Sequence, residues 1–294
     1  MPSTVHANLE YQTDAHLGEG PVWDEISQKL WWVDILGCTL NCYDPVLKEN
    51  ESFDAGEHIG AAALRKEGGL LLALQSGLAF FDESSGNITP IENNFSLSDG
   101  TRSNDGKCDP AGRFWLGTLD YDLEEGSGNL FCVNSDLAVG KKLDQLTIPN
   151  GMAWNKNADR FFFIDTIERE LYSYNYQKET GEISERSIIY EFADDLGYPD
   201  GMTIDSNDKL WIALYAGSKV IQINPKNGHI EFEVRLPVPK PTSCTFGGKS
   251  LQTLFITTCR EHMDESEIEL TPLSGSLFSV DLPFRGRSTD RFIR

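Results

Sequence analysis

The sequence predicts an all-β chain folded as a six-bladed β-propeller, with residues 1–294 forming a single domain. Three observations carry that prediction: a repeat of 40 to 50 residues, apolar runs of strand length inside each repeat, and the lack of any long amphipathic helix. The units open at Gly20-Pro-Val-Trp-Asp24, Gly60-Ala-Ala-Ala-Leu64, Gly106-Lys-Cys-Asp109, Gly151-Met-Ala-Trp-Asn155, Gly201-Met-Thr-Ile-Asp205 and Ser243-Cys-Thr-Phe-Gly247. Their first residues lie 40, 46, 45, 50 and 42 apart.

Each opening segment is followed by two further strand candidates. In the first unit these are Leu30 to Val33 and Leu40 to Tyr43, closed by Asp44-Pro45. The second has Leu70 to Leu74 and Gly77 to Phe81, closed by Ser84-Ser-Gly86; the third has Phe114 to Leu116 and Asn129 to Val133. Phe161 to Ile164 and Leu171 to Tyr176 serve the fourth, with a turn at Lys178-Glu-Thr-Gly181. Leu210 to Leu214 and Lys219 to Ile223 serve the fifth, with Pro225-Lys-Asn-Gly228, and Leu254 to Ile256 and Ser276 to Val280 the sixth. The first run of each pair is short and apolar, as a buried strand requires, whereas Leu171-Tyr-Ser-Tyr174 alternates, as a strand with one buried face does. A propeller leaves no long free edge, so the segment Ala7 to Thr13 is expected to join the last blade beside the C-terminal strands. A pair of β-sandwiches is the rival, but no Pro/Gly/Ser linker divides the chain and the repeat runs through its middle.

Composition narrows the partners. With 25 Lys and Arg against 46 Asp and Glu the formal charge is −21, which excludes a sequence-independent grip on nucleic-acid phosphates or anionic lipid. No apolar run approaches the ~20 residues of a spanning helix. Met1 to Leu17 has neither a basic leader nor an apolar core, and the six cysteines show no CxxC pair, so a cytoplasmic chain with buried thiols is expected. Asn87-Ile-Thr89 and Asn94-Phe-Ser96 match the glycosylation pattern by chance on that reading. The oligomeric expectation is a monomer or weak homodimer.

The residues immediately before the six openings are Glu19, Ile59, Asp105, Asn150, Asp200 and Thr242. Blades are related by rotation about one axis, so equivalent positions form a ring at one end of the central channel. Glu19, Asn150 and Asp200 would face one another there, offering oxygen donors without cysteine or histidine, the set that a hard divalent cation takes. The sequence thus predicts a metal site on the axis. The competing reading makes Asn150-Gly151, Asp200-Gly201, Asp105-Gly106 and Asp99-Gly100 hairpin corners. It does not explain Glu19 before Gly20.

Arg102 and Asn104 stand two apart before the third opening, so in extended backbone both face one side and reach the channel mouth. Arg102 would then donate to substrate oxygens; its alternative is a local ion pair. Lys107 and Asp109 are assigned to the blade's own hydrogen bonding, and the five histidines and Trp31, Trp32 and Trp154 to surface or core. Two acidic insertions, Asp120 to Ser127 and Arg260 to Ser274, read as solvated loops, which are also where binding residues sit on a rigid scaffold. No serine elbow, Walker loop, dinucleotide fingerprint or EF-hand loop is present.

Gly18-Glu-Gly-Pro-Val-Trp23, Arg102-Ser-Asn-Asp-Gly-Lys-Cys-Asp-Pro-Ala-Gly-Arg113, Pro149-Asn-Gly-Met-Ala-Trp154, Tyr198-Pro-Asp-Gly-Met202 and Pro241-Thr-Ser-Cys-Thr-Phe-Gly247 closely resemble the senescence-marker-protein/gluconolactonase family, the regucalcin-like sugar lactonases. The resemblance runs from about Leu17 to Pro283. It implies one divalent ion (Ca²⁺, Zn²⁺, Mn²⁺ or Mg²⁺) held by Glu19, Asn150 and Asp200, and hydrolysis of sugar lactones to aldonic acids. It further implies that Asp200 is the general base and that Arg102 and Asn104 bind substrate. The family's acidic substrate contact falls on Asp122, within Asp120-Tyr-Asp122, where a shorter side chain and a nearby insertion alter the pattern. Asp120 and Asp122 are therefore the candidates there. Two alternatives stay open: a non-catalytic calcium-binding regulatory protein, which would not need Arg102 and Asn104, and a promiscuous metal-dependent esterase or organophosphate hydrolase.

Overall fold

The computed structural model describes residues 2–92 and 95–294. Asn94 of the Asn94-Phe-Ser96 string lies outside them, while Asn87 opens a short outer strand, Asn87–Pro90. Six antiparallel sheets make an all-β six-bladed propeller. The innermost strands are Gly18–Asp24, Ile59–Leu64, Thr101–Cys108, Pro149–Trp154, Tyr198–Ile204 and Pro241–Gly247, so every predicted opening segment lines the axis. In the first five blades the following three strands pair outward in sequence order.

The ends of the chain are tied down twice. Asn8–Tyr11 pairs antiparallel with Leu277–Asp281 as the outer strand of the sixth blade, as expected for a propeller without a free seam. Ser3–His6, which the sequence did not reveal as a strand, adds in parallel to His229–Arg235 of the fifth blade. At the seam, Thr242 Oγ1 of the sixth blade donates to the Gly18 carbonyl of the first at 2.5 Å.

Apolar clusters fill the spaces between neighbouring blades. Val22, Trp31, Leu70 and Leu72 join the first two blades; Trp115, Trp154 and Phe161 join the third and fourth; Trp23, Leu30 and Phe255 close the ring between the sixth and first. Trp31, Trp32 and Trp154 are buried, consistent with a core role. Burying such side chains releases about 1.5–3 kcal/mol each, which holds the blades radially while hydrogen bonds hold each sheet.

At the end away from the ring positions, the C-terminal segment crosses under the channel. Arg287 Nη1 donates to the Trp154 carbonyl (2.6 Å), Thr289 Oγ1 to that of Trp23 (2.7 Å), and the Phe292 and Ile293 amides to Leu64 and Gly112. Arg291 also pairs with Asp24. Above this strap a cavity of about 70 Å³ touches Lys107 and Asp290. The six cysteines are free thiols, five of them buried. Helix is confined, among the described residues, to a short turn and Glu265–Leu270, and no helix is long and apolar enough to cross a membrane.

Candidate metal and substrate site

The ring residues sit where each innermost strand slips against its neighbour. Register shifts lie between Glu19 and Val22, Ile59 and Ala61, Ser103 and Gly106, Pro149 and Met152, Pro199 and Met202, and Pro241 and Ser243. Such bulges leave backbone unpaired and re-aim side chains. The glycines that follow serve close approach. A Cβ on Gly151 would stand 2.6 Å from the Asp200 carbonyl oxygen, and one on Gly201 2.8 Å from Ser243 Cα. Asn150-Gly151, Asp200-Gly201 and Asp105-Gly106 are thus strand interiors; Asp99-Gly100, with Gly100 at φ 89°, is the turn.

A cavity of about 210 Å³ opens at this end, with Glu19, Arg102, Asn104, Asn150 and Asp200 on its walls. All five are buried. Desolvation and the neighbouring Asp105 charge push the Glu19 carboxyl up to about 8, against the opposing Gly20 amide and Arg102. Asp200 is raised well above the usual carboxylate range by burial, then by Glu19 and Asp105. Burial likewise raises Asp105, whose Oδ1 accepts from the Gly106 amide at 2.7 Å.

Asn150 is oriented by its neighbours. Its Nδ2 donates to Thr166 Oγ1 (3.1 Å), which donates onward to the Pro199 carbonyl (2.8 Å). That leaves Asn150 Oδ1 buried without a hydrogen-bond partner, as is Asp105 Oδ2. Buried acceptors without donors are costly, and here they accompany the two buried carboxylates of Glu19 and Asp200. No three His, Cys, Asp or Glu side chains converge as a metal cluster among the described residues; the trio's third donor is an amide. Two carboxylates and one orphaned carbonyl oxygen fit a hard divalent cation.

This electrostatic strain has a measurable consequence. A raised acid binds its proton more tightly in the folded state, so stability is fullest below the unfolded value and falls as pH rises through the folded one. The metal-free protein is expected to melt at progressively lower temperature between pH 4.5 and about 8, the window set by Glu19. Added Ca²⁺ at about 100 times its dissociation constant should restore about 2.7 kcal/mol at the upper end and much less at the lower, where protons compete. Scanning calorimetry at several pH values checks this; a pH-independent metal effect would contradict it.

Arg102 Nη1 donates to Asn104 Oδ1 (2.8 Å) and the Ser103 carbonyl (3.0 Å), and Asn104 Nδ2 donates to the Pro149 carbonyl (3.0 Å). Burial lowers the proton affinity of Arg102, opposed by the charges of Glu261, Glu19 and Asp200. No carboxylate forms an ion pair with it among the described residues, so the alternative of a local salt bridge is not realised.

The acidic contact assigned to Asp120 and Asp122 is not part of this cavity. Asp120 Oδ1 accepts from the Asp122 amide (2.8 Å) and its carbonyl from the Leu123 amide (2.9 Å), a tight turn that leaves Asp122 exposed and carries Leu123 to the cavity wall. Leu119, Ile148 and Ile167 extend the apolar wall, and Tyr198 and Tyr215 complete it. Lys107 instead donates to the Met202 carbonyl, and Asp109 accepts from Arg113 Nε (2.7 Å): both serve the scaffold, as assigned from sequence.

Two residues of the sixth-blade insertion reach the mouth, Glu261 and His262. The acidic composition of the run does not by itself single out one of its residues. The usable signal was position, since Glu261 stands three residues beyond strand Thr253–Thr258, at the channel end of the blade.

The family description "SMP-30/Gluconolactonase/LRE-like region" matches residues 17–260. The chain belongs to this family. It is 37% identical over 282 residues to a Bacillus subtilis (strain 168) protein named "Putative sugar lactone lactonase YvrE", covering 96% of this chain and 97% of that one. Regucalcin of Xenopus laevis is 35% identical, with 90% of each chain covered. Among solved structures, a calcium-binding regucalcin of Agrobacterium tumefaciens superposes with a TM-score of 0.93 at 24% identity over 99% of both chains, which bears on the fold. A luciferin-regenerating enzyme gives 0.90 at 27% identity, covering 98% of this chain and all of that one. The sequence motifs from Leu17 onward thus mark true family membership.

Proposed function

We propose that this family member is a metal-dependent lactonase that hydrolyses sugar lactones of the glucono-, xylono-, arabinono- or galactonolactone type to aldonic acids. The observation that carries the reading is one cavity holding both a buried oxygen set, the Glu19 and Asp200 carboxylates with the orphaned Asn150 Oδ1, and a buried guanidinium, Arg102, without a carboxylate partner. A protein that only stores an ion needs the first and not the second. The name of the Bacillus subtilis relative supports the same substrate class.

Glu19, Asn150 and Asp200 would hold the cation, which when bound supplies Lewis-acid polarisation of a carbonyl and offsets negative charge developing on its oxygen. Asp200 takes a proton from the attacking water and delivers it to the ring oxygen as the acyl C–O bond breaks. A positioned carboxylate is suited to such general-base work. Arg102 donates to ring or hydroxyl oxygens, and Asn104, clamped between Arg102 and the Pro149 carbonyl, fixes the guanidinium. The apolar wall from Leu119 to Ile167 limits water to the polar floor.

The test is acid release from a panel of aldonolactones, after chelation and after restoring Ca²⁺, Mn²⁺, Zn²⁺ or Mg²⁺ singly. Turnover should vanish with chelator and return with at least one ion. Activity that survives complete chelation, or no acid from any lactone, would refute the proposal.

A further inference from the structure

A polyhydroxylated substrate needs acceptors as well as donors. Each hydroxyl that leaves water carries a hydrogen that must find an acceptor, or the exchange is a net loss. On the walls already described, Glu19, Asn150 Oδ1 and Asp200 suit a cation, Arg102 only donates, and Asn104 has Oδ1 engaged by Arg102 and Nδ2 by Pro149. Asp120 and Asp122 lie elsewhere. The remaining carboxylate on the cavity wall is Glu261.

Its place is built rather than incidental. The Glu261 carbonyl accepts from Lys240 Nζ (2.6 Å) and Tyr215 OH (3.3 Å), while the preceding Arg260 amide reaches the Ala15 and His16 carbonyls and Arg260 Nε the Ser274 carbonyl at 2.8 Å. Side chains from two blades and backbone of the N-terminal segment therefore fix the residue. Its side chain is only 21% exposed, and its sole ionic neighbour among the described residues is His262 Nε2 at 3.9 Å. No hydrogen-bond donor reaches its carboxylate among the described residues. Across the mouth its charge acts on Arg102, Glu19 and Asp200. The other acids of the insertion are occupied or outside: Asp264 and Glu267 form the capping box of helix Glu265–Leu270.

We propose that Glu261 is the hydroxyl-accepting specificity residue of the site, selecting lactones with ring hydroxyls over unsubstituted ones; this rests on the lactonase reading above. Arg102 and Glu261 then act as donor and acceptor on the two sides of the sugar ring. Because the product is an acid, the same carboxylate also repels it, favouring release.

The experiment compares kcat/KM for glucono-δ-lactone with that for δ-valerolactone, which has the ring but no hydroxyls, in the wild type and in Glu261→Gln, Glu261→Ala and Glu261→Asp. If one lactone is bound without turnover, its inhibition constant replaces kcat/KM. The gluconolactone to valerolactone ratio should fall about tenfold in the Gln variant, mostly through KM, and further in Ala, the size expected when a charge-assisted hydrogen bond is lost. The Asp variant should lie between Gln and wild type, and inhibition by gluconate should tighten in Gln and Ala. A ratio within twofold of wild type in both Gln and Ala overturns the assignment while leaving the lactonase reading intact. If the wild type releases acid from neither lactone, that underlying reading falls, and the assignment with it. Thermal melting of each variant separates misfolding from a specificity change, and Asp, the least disruptive, still reports if Ala melts early.

Discussion

Asp200→Ala is expected to lower lactone turnover by about 10³-fold or more and to remove metal-dependent stabilisation in the same protein. Both effects follow from one buried carboxylate serving two tasks. As an oxygen donor it supplies half of the negative charge that Glu19 and Asp200 together offer a divalent cation. As a base it contributes the proton transfer, ordinarily worth about 10²–10⁴-fold by itself. Removal also takes away a carboxyl on which burial and the Glu19 and Asp105 charges press, so the alanine variant should be more stable than the metal-free wild type at pH 8. Asp200→Asn divides the tasks: an amide oxygen can still serve as a donor, as Asn150 does, but cannot take a proton. It should retain some metal-induced rise in melting temperature while losing turnover as fully as alanine. Wild-type turnover in either variant would eliminate Asp200 as the base. Metal-induced stabilisation that persists unchanged in alanine would remove it from the ion's donor set.

The residues that made the site readable are those the repeat forces into phase. Glu19, Asn150 and Asp200 each stand immediately before the glycine that opens a repeat unit, and rotational symmetry converts that shared phase into a shared place. Arg102 and Asn104 were readable for the same reason, by alternation along Thr101–Cys108. Where the repeat has no say, the sequence was silent. Asp122 and Glu261 both lie in insertions, and an insertion's direction depends on its own turns: an Asx-type bond at Asp120 takes Asp122 outward, while Tyr215 and Lys240 pin Glu261 at the mouth. Neither Tyr215 nor Lys240 neighbours Glu261 in sequence. The parallel strand Ser3–His6 and the strap of Gly286 to Ile293 were hidden likewise, because each consists of short polar stretches whose structure comes from pairing with blades distant in the chain.

Asp109→Ala is the substitution expected to cost the fold most, about 3–5 kcal/mol, the penalty for leaving a buried charge without its partner. Asp109 is fully buried and Arg113 nearly so. One carboxylate oxygen accepts from the Ala111 and Arg113 amides (2.9 and 3.0 Å), closing the hairpin between the first two strands of the third blade. The other accepts from Arg113 Nε (2.7 Å), Trp115 Nε1 (2.9 Å) and Tyr176 OH (2.8 Å), and Arg113 Nη2 continues to Tyr176 OH and the Lys178 carbonyl. Since Tyr176 and Lys178 belong to the fourth blade and its outer turn, this hub ties two blades together at the end of the channel away from the metal site. Asp205 repeats the pattern in the fifth blade, accepting from the Asn207 and Lys209 amides, Trp211 Nε1 and Gln222 Nε2, but without an arginine. With about 2 °C per kcal/mol for a chain of this size, Asp109→Ala should lower the melting temperature by at least about 6 °C. Asp109→Asn keeps the backbone contacts at one oxygen but turns an amide donor toward three other donors, so it should recover less than half of the loss. Denaturant titration of both variants, with lactonase activity per folded molecule as the control for position, decides the matter: a loss under about 1 kcal/mol in alanine would mean that the hub contributes little, and a loss of activity without a loss of stability would place Asp109 in the site instead.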